Sequence, residues 1–170
     1  HNQVELTASD STFVVNLVIN EAEWEVSGIP KWVHLTPSRV NVNAEIVVTI
    51  EQNTVVNERS ASVLFTAGSK TETLQIIQAG AEPTITLSTT EISAEYTGET
   101  FEVVVTTNGL NWEIDQIADW ISFDKATGNS GESLKIQVEK NLSLDERTGA
   151  IVFASGISTA TLTVQQDSFY

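Results

Sequence analysis

Four tryptophans and two histidines are the residues of this 170-residue chain best suited to recognition chemistry. Trp24 and Trp112 each stand two positions ahead of an apolar residue, Val26 or Ile114, with Glu25 or Glu113 between. In an extended strand that spacing puts indole and aliphatic side chain on one face and the acid on the other. Both indoles are therefore expected in a core. Trp32 and Trp120 have the opposite parity. Val33 shares a face with Leu35, and Ile121 with Phe123, which turns Trp32 outward with His34 and Trp120 outward with Ser122. An outward indole beside a polar side chain is a platform for a sugar: CH groups of the ring meet the π face, and polar neighbours read its hydroxyls. Trp32, Trp120 and His34 are thus the candidate ligand-binding residues. The competing role for both tryptophans is to close the end of a β-structure beneath a loop.

Catalytic chemistry finds little support. With no cysteine there is no thiol nucleophile, no disulfide framework and no Cys-type zinc site. His1 is terminal, so a Ser-His-Asp set would have to use His34, which has no counterpart elsewhere in the chain and no motif around it. The 23 acidic residues include no pair set in apolar surroundings that would raise one pKa. Asp115, Asp119, Asp124 and Glu132 lie close together, but not at the spacing of an EF-hand loop. The nine glycines are scattered as turn residues and make no phosphate cradle. A non-enzyme without metal or cofactor is expected. The net charge of -15 would repel phosphate backbones and anionic lipid, which excludes nucleic acid and membrane insertion as modes of action. The expected partners are a neutral polysaccharide, a glycoprotein glycan, or other domains of a parent chain.

The elements that position these residues repeat. An offset of 88 residues joins Trp24 to Trp112 and Trp32 to Trp120. It also joins Phe13 to Phe101, Asn20 to Asn108, Asn53 to Asn141, Arg59 to Arg147, Phe65 to Phe153, Gly68 to Gly156 and Gln78 to Gln166, with no gap between any of them. The chain is two copies of one domain, 1–81 and 82–170, with the boundary in Gln78-Ala79-Gly80-Ala81-Glu82-Pro83. The copies differ in charge: 9 acidic and 4 basic residues in the first, 14 and 4 in the second. Within each copy the apolar period is two. Phe13 to Ile19, Ile46 to Ile50, Leu134 to Val138, Ile151 to Phe153 and Leu162 to Val164 read as strands, and Asn108-Gly109 reads as a tight turn. Short strands at roughly ten-residue intervals indicate an all-β sandwich or barrel. The arginine and asparagine of each copy, Arg59 with Asn53 and Arg147 with Asn141, are expected to brace a loop, and Glu58 and Glu146 to pair with the neighbouring arginines at the surface.

The ordered series Asn20, Trp24-Glu25-Val26, Trp32-Val33, Asn53, Arg59, Phe65, Gln78, and its twin Asn108, Trp112-Glu113-Ile114, Trp120-Ile121, Asn141, Arg147, Phe153, Gln166, resembles the BACON domain. That Bacteroidetes-associated module is often N-terminal, and carbohydrate binding has been ascribed to it from the domains it accompanies. The resemblance implies an immunoglobulin-like, seven-stranded β-sandwich in each copy. It also implies an extracellular or outer-membrane-surface bacterial protein, in which the pair serves as a spacer or interaction module or as a glycan binder. The family's Pro-x-x-Gly-like stretch after the second tryptophan is only half present. Pro37-Ser38-Arg39 lacks the glycine, and Lys125-Ala126-Thr127-Gly128 lacks the proline. The start at His1-Asn2-Gln3, without methionine, reads as a processed chain or a piece of a longer one.

Overall fold

The computed structural model describes residues 2–18, 24–38 and 43–170. The expectations attached to His1, Ile19, Asn20 and Arg39 lie outside these residues. The chain forms two compact units, His1–Glu82 and Pro83–Tyr170.

In the first unit, β1 (Gln3–Leu6), β2 (Ser11–Leu17), β3 (Trp24–Ser27), β4 (Val33–Thr36), β5 (Ala44–Ile50), β6 (Arg59–Ala67) and β7 (Lys70–Gln78) make two sheets. Their orders are β1-β7-β6-β3 and β2-β5-β4. The alternation that marks these segments as strands also sorts their faces. In β5, Ile46, Val48 and Ile50 are fully buried, while Glu45, Val47 and Thr49 face out. They close on Trp24 of β3, Val63 and Phe65 of β6, and Leu74 and Ile76 of β7, which make the core between the sheets.

The second unit runs β8 (Ile85–Leu87), β9 (Glu91–Ala94), β10 (Glu99–Thr107), β11 (Trp112–Ile117), β12 (Ile121–Phe123), β13 (Thr127–Gly128), β14 (Ser133–Val138), β15 (Arg147–Ser155) and β16 (Ser158–Gln166). Its sheets are β12-β14-β10-β8 and β13-β11-β15-β16-β9. Leu134, Ile136, Val138, Ile151, Phe153, Leu162 and Val164 pack around Trp112. Both units are all-β and immunoglobulin-like. The second has two strands more than the seven expected per copy. A shift of 88 residues places β8 ahead of residue 1, and β13 on positions 39–40, outside the described residues. Sequence alternation does not signal a three-residue or a two-residue strand, because so short a segment is ordered by the neighbour it pairs with.

The last two strands of each unit form its longest hairpin. β6 and β7 pair over nine positions from Arg59↔Gln78 to Ala67↔Lys70, and β15 and β16 do the same from Arg147↔Gln166 to Ser155↔Ser158. Two-residue loops join them, and their first residues, Gly68 and Gly156, take φ of +59° and +60°. That left-handed geometry matches the right-handed twist of the strands and favours glycine. The pairing places Arg59 beside Gln78, and Arg147 beside Gln166, at the open end of each hairpin.

Candidate functional site

At that end each unit builds the same polar cluster beneath its second tryptophan. The Arg59 guanidinium lies over the Trp32 ring, 4.4 Å from its centroid, and Arg147 lies 4.3 Å from that of Trp120. Arg59 Nε donates to Gln78 Oε1 at 2.8 Å, and Arg147 Nε to Gln166 Oε1 at 2.7 Å. A second guanidinium nitrogen donates to a backbone carbonyl, that of Glu51 at 2.5 Å or Glu139 at 2.7 Å. The same two carbonyls accept from Gln78 Nε2 at 3.1 Å and Gln166 Nε2 at 2.8 Å. The amides of Glu51 and Glu139 donate to the carbonyls of Trp32 and Trp120, both at 3.0 Å. Gln78 Nε2 also reaches the carbonyls of Ala8 and Ser9, and Gln166 Nε2 that of Glu95. Both glutamines are buried, so these bonds replace the water their amides would otherwise hold.

The buried asparagines close the loop beside the arginine. Asn53 Nδ2 donates to the carbonyls of Asn57 and Ala79 and its Oδ1 accepts from Val55 N; Asn141 does the same with Asp145, Asp167 and Ser143 N. The bracing role expected of Asn53, Arg59, Asn141 and Arg147 is what they perform. Glu58 and Glu146 are a different matter. Both are exposed, and among the described residues neither pairs with its neighbouring arginine. Adjacent residues entering a strand point to opposite faces, and each arginine is turned inward by glutamine, carbonyl and indole.

Trp24 and Trp112 are buried, as strand parity requires. Trp32 and Trp120 are half-buried and pack against their cores, so they face outward less fully than parity suggests. Parity does not extend to them because each sits in a turn just ahead of its strand. Val33 N donates to the Pro30 carbonyl at 3.1 Å and Ile121 N to that of Ala118 at 3.0 Å. The turn folds the indole back over the sheet end, under its arginine.

His34 is exposed in β4, and its Nε2 lies 2.7 Å from Glu51 Oε1, the two side chains being 54% and 58% exposed. Through Glu51 it is joined to the Trp32 cluster. In the second unit Ser122 replaces the histidine. The first copy alone thus carries an exposed imidazole–carboxylate pair beside its half-buried indole. The glutamines and the Glu51 and Glu139 carbonyls were not among the candidate residues. Gln78 and Gln166 recur in the repeat as polar residues closing apolar strands, which was the available signal. The carbonyls leave no trace in side-chain pattern.

A second cluster belongs to the second unit. Trp112 Nε1 donates to the Asn129 carbonyl at 2.9 Å, and Lys125 Nζ and Asn129 Nδ2 both donate to the Glu132 carboxylate, at 2.9 and 2.8 Å. The Asn129 side chain first, then Lys125, holds the Glu132 carboxyl down to about 2. Of the other acids noted near it, Asp124 accepts from Lys135 N at 2.9 Å. No group of three or more metal-binding side chains occurs among the described residues.

Two copies of one cluster, at one spacing, match a known family model. The model is that of BACON, described as "Putative binding domain, N-terminal", and it matches residues 22–79 and 110–167. The chain belongs to the BACON family. It holds two BACON domains in tandem, and the matched segments run from the first tryptophan of each copy to the asparagine–arginine–glutamine cluster. No curated protein matches the chain. Among solved structures, a three-domain immunoglobulin fragment of titin superposes with a TM-score of 0.51 at 7% identity, covering 99% of this chain and 62% of that one. Titin domains in complex with telethonin give 0.42 at 16% identity, covering 98% and 92%. A Bacteroides ovatus GH5 xyloglucanase in complex with a heptasaccharide gives 0.44 at 21% identity, covering 56% of this chain and 20% of that one. This chain spans only a fifth of the length of that enzyme. Among the described residues of the tandem BACON chain, no helix is long and apolar enough to cross a membrane.

Proposed function

We propose that the tandem BACON pair is a non-catalytic extracellular module, a spacer or interaction domain of a larger secreted or surface-anchored bacterial protein. The supporting observation is what each copy does with its second tryptophan. Trp32 and Trp120 are both half-buried, and both lie against an arginine tied to a buried glutamine and a backbone carbonyl. Duplication has kept a structural joint at the sheet end. His34 and Ser122, which differ between the copies, lie outside that joint.

A second reading rests on His34. Its exposed pair with Glu51, next to the free part of Trp32, supplies a donor and an acceptor beside an aromatic surface, the chemistry that reads a neutral polysaccharide or glycoprotein glycan. Tryptophan fluorescence during titration with neutral polysaccharides and mucin glycans separates the two. His34→Ala and Glu51→Gln are the informative variants, because the Trp32 cluster uses only the Glu51 backbone. A spacer gives no saturable change across the panel. Saturable binding that either variant abolishes replaces the spacer reading with a glycan site in the first copy.

A further inference from the structure

The two units differ at one sheet edge. In the second, β8 lies antiparallel on β10, with Leu87 opposite Val105 and Ile85 opposite Thr107. Ile85 is buried, and Val103, Val105, Phe153 and Leu162 around it are fully covered. In the first unit β2 is an edge strand, and among the described residues nothing pairs with its outer side. Val15 and Leu17, the counterparts of Val103 and Val105, are only half-buried, and Val18 is 73% exposed. A groove of about 480 Å³ opens there, lined by Phe13, Val15, Leu17, Phe65, Leu74 and, at its end, Asn2. Four of its lining residues, Val15, Leu17, Phe65 and Leu74, have as counterparts Val103, Val105, Phe153 and Leu162, all fully buried in the unit that has β8.

We propose that this groove is a strand-acceptor site, and that its occupant is an extended segment joined ahead of residue 1, laid antiparallel on β2 with branched apolar side chains two positions apart. Three observations carry this. The occupant's chemistry is displayed in the same chain, as Ile85 and Leu87 of β8. The route is short: β8 ends four positions before β9 begins, and Asn2, next to β1, already lines the groove. The open backbone is the kind that recruits a strand. In β10, Val105 N donates to the Glu132 carbonyl on the inner side, whereas Val104 N donates to Ser88 Oγ on the β8 side. Alternation then turns the amides of Asn16 and Val18, the counterparts of Val104 and Thr106, toward the groove.

The test joins the sequence of residues 83–88, Pro-Thr-Ile-Thr-Leu-Ser, directly ahead of residue 1 of the full chain. A control graft carries serine in place of its isoleucine and leucine. The apolar graft is expected to raise the melting midpoint of the first unit by about 5 °C or more, and to slow hydrogen exchange at the Asn16 and Val18 amides at least tenfold. The control is expected to do neither. Equal effects from both grafts, or none from either, overturn the proposal. So does an ungrafted chain that is dimeric with those amides already protected, since a second copy would then be the occupant.

Discussion

Gln78 and Gln166 show how a single polar side chain can hold a sheet end together. Each accepts from an arginine and donates to carbonyls from segments far apart in sequence, with no exposure to water. Removing such an amide from the second unit leaves the Arg147 Nε without its acceptor, while the Glu139 and Glu95 carbonyls keep Arg147 and Gly98 N as donors; one unmet group of this kind costs about 1–3 kcal/mol. Gln166→Ala should therefore lower the stability of the second unit by about 1–3 kcal/mol in urea unfolding. Glu132 supplies a prediction in pH. Its carboxyl is held at about 2, below the ordinary 4.5, by Asn129 and Lys125. A depressed carboxylate contributes stability that is complete above its unfolded pKa and fades as pH falls through the folded value. The contribution should persist above pH 4.5 and be lost toward pH 2. Carboxyl NMR should find Glu132 titrating near 2 in the parent chain and closer to 4.5 in Asn129→Ala.

At the scale of the element, the β15 strand is built to receive an indole. A Cβ at Gly149 would stand 2.6 Å from Trp120 Cζ2 and 2.8 Å from the Ala118 Cβ. Neither neighbour is the free end of a flexible chain, so Gly149→Ala should push Trp120 off its seat and cost about 1–3 kcal/mol, read as a lowered thermal midpoint of the second unit. The first copy has Ala61 at the corresponding position of β6. Gly128 does the same service in β13: a Cβ there would meet Trp112 Cζ2 at 2.4 Å. The Lys125-Ala126-Thr127-Gly128 stretch, which departs from the family pattern, is thus partly a strand whose glycine admits the core tryptophan to its edge.

For the whole molecule, the charge of -15 sets a background that no single contact removes. Among the described residues His34 pairs with Glu51 and Lys125 with Glu132, both at the surface, where a pair contributes little. Most carboxylates therefore repel one another, and screening should relieve them. Raising NaCl from about 10 to 200 mM should raise the melting temperature, more in the second unit, with its 14 acids and 4 bases, than in the first. The repeat, the all-β class, the buried Trp24 and Trp112 and the bracing Arg–Asn pairs were legible in the chain. Period-two alternation and an 88-residue register are local and arithmetic signals that survive without coordinates. Burial of the first tryptophan follows from its apolar partner two residues on. What tertiary structure alone decided was the setting of Trp32 and Trp120, because a residue in a turn has no strand parity to inherit. It also decided the carbonyl hub at Glu51 and Glu139, because backbone groups carry no sequence signature. Last, it separated the covered edge of β10 from the open edge of β2. That difference depends on a three-residue strand whose position is set by the neighbour it pairs with.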